Sequence, residues 1–164
     1  MENLQQNYMV SRFGLKGRVE IKLTGPDGNT KEHRVIKDYR KFPNTVTTFG
    51  DKLFANRLSG ASLSAPSHMA IGTGTGGTSS YNSLVTELDR NALTSTTQGT
   101  GANDNDVIYV GDWAAGDGTG AITEAGVFNA SSGPGMMVYS SFSAVNKAAG
   151  DTLQINWTVT FGAS

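Results

Sequence analysis

Residues 152–161 read Thr-Leu-Gln-Ile-Asn-Trp-Thr-Val-Thr-Phe. Leu153, Ile155, Trp157, Val159 and Phe161 alternate without a break with Thr152, Gln154, Asn156, Thr158 and Thr160. A period of two puts five large apolar side chains on one face of a pleated strand and an uncharged polar set on the other. Wound as a helix, at about 100° per residue, the same order would scatter the apolar set around the axis. Burying the five is worth on the order of 10 kcal/mol before conformational entropy is charged. The segment therefore reads as a strand that demands a second layer, and the rest of the chain as the supply of that layer.

The chain has 164 residues, enough for one domain that buries a core of its own. Its 21 glycines and the scarcity of helix formers after Leu58 suit an all-β protein with many turns. It has no cysteine, so disulfide and thiolate chemistry are excluded, in keeping with folding in a reducing cytosol. No charged-then-apolar leader follows Met1 and no apolar run approaches about 18 residues. A chain neither exported by a leader nor crossing a membrane is expected. Charge is split: residues 1–60 hold 11 Lys/Arg against 6 Asp/Glu, and residues 61–164 hold 2 against 8. Such asymmetry suits electrostatic contact between subunits or with an acidic partner. The basic half has few aromatics among its cations and no recognised module, which argues against nucleic acid as that partner.

Taken in order, residues 1–16 show no sustained period and read as an N-terminal arm, with residues 17–164 as the domain. Residues 17–37 read as a hairpin: Val19, Ile21 and Leu23 alternate with polar residues, then Gly25-Pro-Asp-Gly28 turns the chain. The return strand carries Lys31, Arg34 and Lys37, as an exposed edge strand guarded against stray pairing would. Residues 47–58 form the one helix candidate, with Phe49, Leu53, Phe54 and Leu58 as its apolar stripe, Thr47 or Thr48 as its cap and Gly60 just past its end. Gly50 inside it costs about 1 kcal/mol of helix propensity. Further strands are expected at 68–72, 90–97, 106–113, 121–129 and 136–142. This spacing of about ten residues predicts an antiparallel β-sandwich, jelly-roll-like, with one short helix.

No constellation for catalysis or metal binding stands out. Gly72-x-Gly74-x-x-Gly77 has the letters of a dinucleotide fingerprint but no helix opening after it, and reads as a flexible loop. Asp104, Asp106, Asp112 and Asp117 lack the spacing of a calcium loop. His33 and His68 lack metal-ligand spacing, and no Gly-x-Ser-x-Gly occurs. No enzyme activity and no cofactor are expected. Glu124 shares a parity with Ile122, Gly126 and Phe128, so it should face partly inward and need a partner. Arg90, one of two cations after residue 60, is the expected partner in a structural ion pair.

Several runs stand in a distinctive order: Thr48-Phe-Gly-Asp-Lys-Leu-Phe-Ala-Asn-Arg-Leu58, Ile71-Gly-Thr-Gly-Thr75, Leu84-Val-Thr-Glu-Leu-Asp-Arg90, Ile122-Thr-Glu-Ala-Gly-Val-Phe128, Phe142-Ser-Ala-Val-Asn-Lys147 and Asp151–Phe161. Together, over about residues 17–162, the chain resembles small virion structural proteins of tailed bacteriophages, of the capsid decoration (cement) or the collar and fibre-attachment type. The resemblance implies a β-sandwich without catalysis, located in the virion after assembly in the host cytoplasm. The expected partners are the major capsid protein or neighbouring virion proteins, and a homo-oligomer, most simply a trimer. A sandwich with an arm and no shaft suits a cement protein on the capsid exterior better than a fibre. The residues expected to bind partners are Tyr8, Met9, Arg12 and Phe13 of the arm and Lys31, Arg34 and Lys37 of the edge strand. The alternatives are a collar or tail adaptor, or a carbohydrate-binding module with Trp113 or Tyr81 stacking on sugar.

Overall fold

The structure, a computed structural model, describes residues 13–38 and 44–163. Its strands are β1 (Phe13–Thr24), β2 (Thr30–Asp38), β3 (Asn44–Val46), β4 (His68–Gly72), β5 (Glu87–Ala92), β6 (Ser95–Gln98), β7 (Asp106–Trp113), β8 (Gly120–Phe128), β9 (Met136–Lys147) and β10 (Thr152–Ala163). One α-helix, α1 (Thr48–Leu58), lies between β3 and β4. The strands form two antiparallel five-stranded sheets, β2-β1-β10-β7-β6 and β3-β9-β8-β4-β5, packed as an all-β sandwich. Hairpins β1–β2, β4–β5, β6–β7 and β8–β9 each stay within one sheet.

The alternating C-terminal segment is the central strand of the first sheet. It pairs with β1 from Phe13↔Ala163 to Thr24↔Thr152, and with β7 from Leu153↔Trp113 to Thr160↔Asp106. Leu153, Ile155, Trp157 and Val159 are buried against Val19, Ile21 and Leu23 of β1 and Tyr109 and Trp113 of β7, while Phe161 packs at the margin. The second sheet contributes Met69, Ile71, Ile122, Ala125, Val127, Met137 and Val145 to the same core.

Residues 13–16, assigned above to the arm, are the first residues of β1. The backbone partner is decisive there: β10 continues to Ala163 and its ladder groups must be satisfied. The predicted strand at 90–97 divides into β5 and β6, which belong to different sheets, with the change of sheet at Leu93 and Thr94. The strand predicted to end at Phe142 runs on to Lys147.

The helix forms where expected. Thr47 is its N-cap, accepting from the Gly50 N–H at 3.0 Å, and Gly60 follows it with φ of +73°. Leu53 is buried, and Phe54 meets Phe161 edge to face with ring centroids 5.4 Å apart. Leu58 does not join the stripe: it is 88% exposed, on the last turn beyond the reach of the sheets.

Gly50 is explained by packing. A Cβ there would sit 2.3 Å from the Met137 carbonyl oxygen of β9. Helix propensity alone favours Gly50→Ala by about 1 kcal/mol. The collision is with backbone, and overpacking of this kind costs roughly 1–3 kcal/mol or more. Gly50→Ala is therefore expected to lower the urea midpoint, with a net loss of about 1–2 kcal/mol. An unchanged or raised midpoint would show that α1 can move off β9.

Candidate functional site

The outer face of the second sheet is covered by the chain's own loop, residues 73–86. This is the glycine-rich segment, and Glu124 holds it. The Glu124 carboxylate is fully buried and accepts three backbone N–H groups: Oε1 from Gly74 at 3.0 Å and Thr86 at 2.7 Å, and Oε2 from Val85 at 3.1 Å. The loop is closed on itself by Thr73 N–H to Thr86 O at 3.0 Å, and Thr123 Oγ1 donates to Gly74 O at 2.7 Å. Further along, Gly77 N–H donates to Tyr139 Oη at 3.1 Å, and Asn82 O accepts from Gly135 and Met136 N–H. The segment expected to be flexible is fastened at both ends.

The glycine spacing follows from this. A Cβ at Gly72 or at Gly74 would lie 2.6 Å from Glu124 Oε1, and a Cβ at Gly77 would lie 2.4 Å from the Tyr139 ring. Gly72 and Gly74 thus form a stripe without Cβ in which the carboxylate lies. The Gly74 N–H that a phosphate would need already binds Glu124, and a phosphate there would meet a carboxylate. Beneath the loop a second apolar cluster forms from Ala70, Leu84, Phe128, Met136 and Tyr139. Burial pushes the Tyr139 phenol up to about 12, so it stays protonated across the ordinary pH range.

Glu124 reaches this face because β8 carries an irregularity between Ile122 and Glu124. Before it, Ile122 faces the main core; after it, Ala125 and Val127 do. Strict alternation over residues 121–129 therefore assigns Glu124 and Phe128 to the wrong side. A bulge shifts the phase by one residue, and no local signal in the sequence marks it.

The Arg90–Glu124 ion pair is not formed. Glu124 is satisfied by backbone N–H groups, and Arg90 has partners of its own. Its Nε and Nη2 grip Glu87 at 3.0 and 2.6 Å, its Nη1 donates to Ala130 O and Gly133 O at 3.1 Å each, and its guanidinium lies 3.7 Å from the centre of the Phe128 ring. Arg90 is opposite Ala70, whereas Gly72, the strand neighbour of Glu124, is opposite Glu87. Register thus gives Arg90 a nearer carboxylate, three residues away in its own strand. The pair Arg90 and Glu87, with Phe128 below, pins the 129–135 turn as Glu124 pins the 73–86 loop.

Of the arm residues, Tyr8, Met9 and Arg12 lie outside the described residues, and Phe13 opens β1 with its backbone paired to Ala163. The edge strand is β2, at the end of its sheet as expected. Lys31 and Arg34 have partners within the chain itself. Lys31 Nζ is 2.8 Å from the buried Asp151, and Arg34 bonds Glu32 and the Ser143 carbonyl of the facing sheet. Lys37 falls in β2 opposite Arg18. Trp113 is buried in the core, so it cannot stack on a sugar; Tyr81 stands partly exposed in the loop. His33 is 2.7 Å from Glu20 on the first sheet, and His68 is 2.9 Å from Ser67 Oγ at the second. Among the described residues no helix is long and apolar enough to cross a membrane. No family model, curated protein or solved structure matches the chain.

Two outcomes follow. Glu124→Ala leaves three buried N–H groups without an acceptor and is expected to cost roughly 3–5 kcal/mol, with the Gly74, Val85 and Thr86 amides losing hydrogen-exchange protection first. Glu124→Gln keeps one oxygen and should cost about half as much; equal stability of either variant to the parent would rule out the lock. Separately, the Lys31 ammonium and then the Ala148 N–H hold the Asp151 carboxyl below its ordinary 3.8. A carboxyl lowered in the fold contributes stability above its unfolded value and loses it as pH falls through the folded value. Asp151→Asn should therefore flatten the acid limb of stability against pH below about 4, measured by thermal unfolding; an unchanged limb would refute the role.

Proposed function

We propose that this chain is a non-enzymatic structural protein of a tailed-bacteriophage virion, a capsid decoration protein that binds the outer shell and bridges major capsid subunits as a homo-oligomer. The observation that carries the reading is the meeting of motifs far apart in sequence. Ile71-Gly-Thr-Gly-Thr75 wraps Glu124 of Ile122-Thr-Glu-Ala-Gly-Val-Phe128, and Arg90 of Leu84-Val-Thr-Glu-Leu-Asp-Arg90 lies on Phe128. The motifs that carry the resemblance are therefore parts of one structural lock, which gives a physical reason for their occurring together.

The chemistry of that lock favours a scaffold. Its carboxylate is saturated by backbone donors, its tyrosine stays neutral, and its arginine is bound on every side. What remains for partners is surface. β1 begins next to the end of β10, since Phe13 pairs with Ala163. In this reading residues 1–12, which precede β1, bind a neighbouring subunit while the sandwich sits on the shell. An interface of standard size buries about 1,600 Å² in total, and icosahedral repetition multiplies it over the particle.

The test is an averaged map of particles reconstituted with the full chain or with a chain lacking residues 1–12. Density repeating over the whole shell for the full chain, and lost for the truncated one, is the expected result. Density confined to the tail vertex would make the protein a collar or tail adaptor. Shell density that survives the truncation would take the arm out of the mechanism.

A further inference from the structure

The outward face of the first sheet carries a charge pattern that is complementary to itself. Burial of Val19, Ile21, Leu23, Ile155, Trp157, Val159, Tyr109 and Trp113 on the core side leaves the alternate residues outward. Register arranges these in rows across β1, β10 and β7. The end rows are Lys16, Thr160, Asp106 and Lys22, Gln154, Asp112; the middle rows are Arg18, Thr158, Ile108 and Glu20, Asn156, Val110. Each end row has a lysine on one side of β10 and an aspartate on the other. The strand between them is neutral throughout. Asn156, Thr158, Ile108 and Val110 all keep partial exposure, and no described element packs over this face.

The remaining charges preserve this polarity. Glu20 is engaged by Arg18 at 2.8 Å and His33 at 2.7 Å on its own side. Asp112 accepts from Gln154 Nε2 at 2.9 Å and Thr94 Oγ1 at 2.6 Å, which are neutral donors and leave its charge uncancelled. A hollow of about 350 Å³ lies at this end of the face, lined by Lys22, Asp112 and Gln154 among others.

We propose that this face binds a second copy of the chain, face to face, about a two-fold axis running along β10. Such a rotation exchanges the two sides of β10 and keeps each row at its own height. Lys22 of one copy then meets Asp112 of the other in the hollow, twice. Ile108 and Val110 come over the stems of Arg18 and Glu20, while Asn156 and Thr158 lie next to the axis and face their own copies. Five strands at about 4.8 Å spacing and eight registered residues at about 3.3 Å give a contact of roughly 600 Å² per copy. That is about 1,200 Å² in total, the lower end of specific interfaces. The charges, being partly exposed, set the register more than the affinity. This contact is self-closing, as an isologous interface is. It is independent of the virion reading, because it concerns the isolated chain.

The test uses the full chain in sedimentation equilibrium. A dimer is expected, weakened by salt. Lys22→Glu should raise its dissociation constant about tenfold, because two attractive contacts become repulsive. The double variant Lys22→Glu with Asp112→Lys should restore it. The chain has no cysteine, so Thr158→Cys should be joined into a covalent dimer by a short bis-maleimide cross-linker, which spans the roughly 10 Å between stacked sheets. Unchanged circular dichroism of each variant keeps the comparison about association. A chain monomeric at every concentration reached, or a dimer indifferent to Lys22→Glu and not cross-linked by Thr158→Cys, overturns the proposal.

Discussion

The Glu124 carboxylate, buried and bound by three backbone N–H groups, is the constraint on which the second sheet depends. A carboxylate removed from water must find several donors or fail to ionise. Here the donors come from both ends of one loop, so satisfying the charge also closes the loop over the sheet. The closed loop then provides the lid for Ala70, Phe128, Met136 and Tyr139, which would otherwise face solvent. Strands β4, β8 and β9 are thereby covered on both faces, and the run Met136-Met-Val-Tyr139 is apolar without alternation. One polar group thus organises an apolar layer.

The two faces of the sandwich have different fates for this reason. The second sheet is sealed by residues 73–86 and 129–135, fastened by Glu124 and Arg90 respectively. Among the described residues nothing packs over the outward face of the first sheet, which has threonine and asparagine along its centre and opposite charges at its sides. An asymmetry that appears in the sequence as a basic first part and an acidic remainder becomes, on one sheet, a basic β1 and an acidic β7 on opposite sides of β10. Folding brings the ends of the chain together as β1 and β10, and sets β7 on the far side of β10. The proposed scaffold function would use this division, with one side committed to rigidity and another left for partners.

Much of the fold was legible because its signals are local. The strict alternation of residues 152–161 identifies β10 and its buried face; Thr47 and Gly60 bound α1; Gly25-Pro-Asp-Gly28 marks the first turn. These depend on the period of a strand, the orphan N–H groups of a helix start and the left-handed freedom of glycine, all of which act within a few residues. The recurrence of glycine at residues 72, 74 and 77 was also visible, as was the need of Glu124 for a partner.

What the sequence could not specify is which groups meet. The irregularity after Ile122 reverses the facing of Glu124, Gly126 and Phe128, and its cause lies in how β8 pairs with β9 rather than in any residue of β8 alone. The partner of Arg90 was decided by register, which places Glu87 within reach and leaves Glu124 to the loop. Gly50 reads as a defect by propensity and is required by the Met137 carbonyl. By itself the sequence determined strand periods, caps, turns and the division of charge, because these are set by short-range sterics and hydrogen bonding. Only the tertiary structure decided the loop lock, the pairing of charges and the rows on the outward face, because each joins residues whose proximity exists only after the sheets have paired.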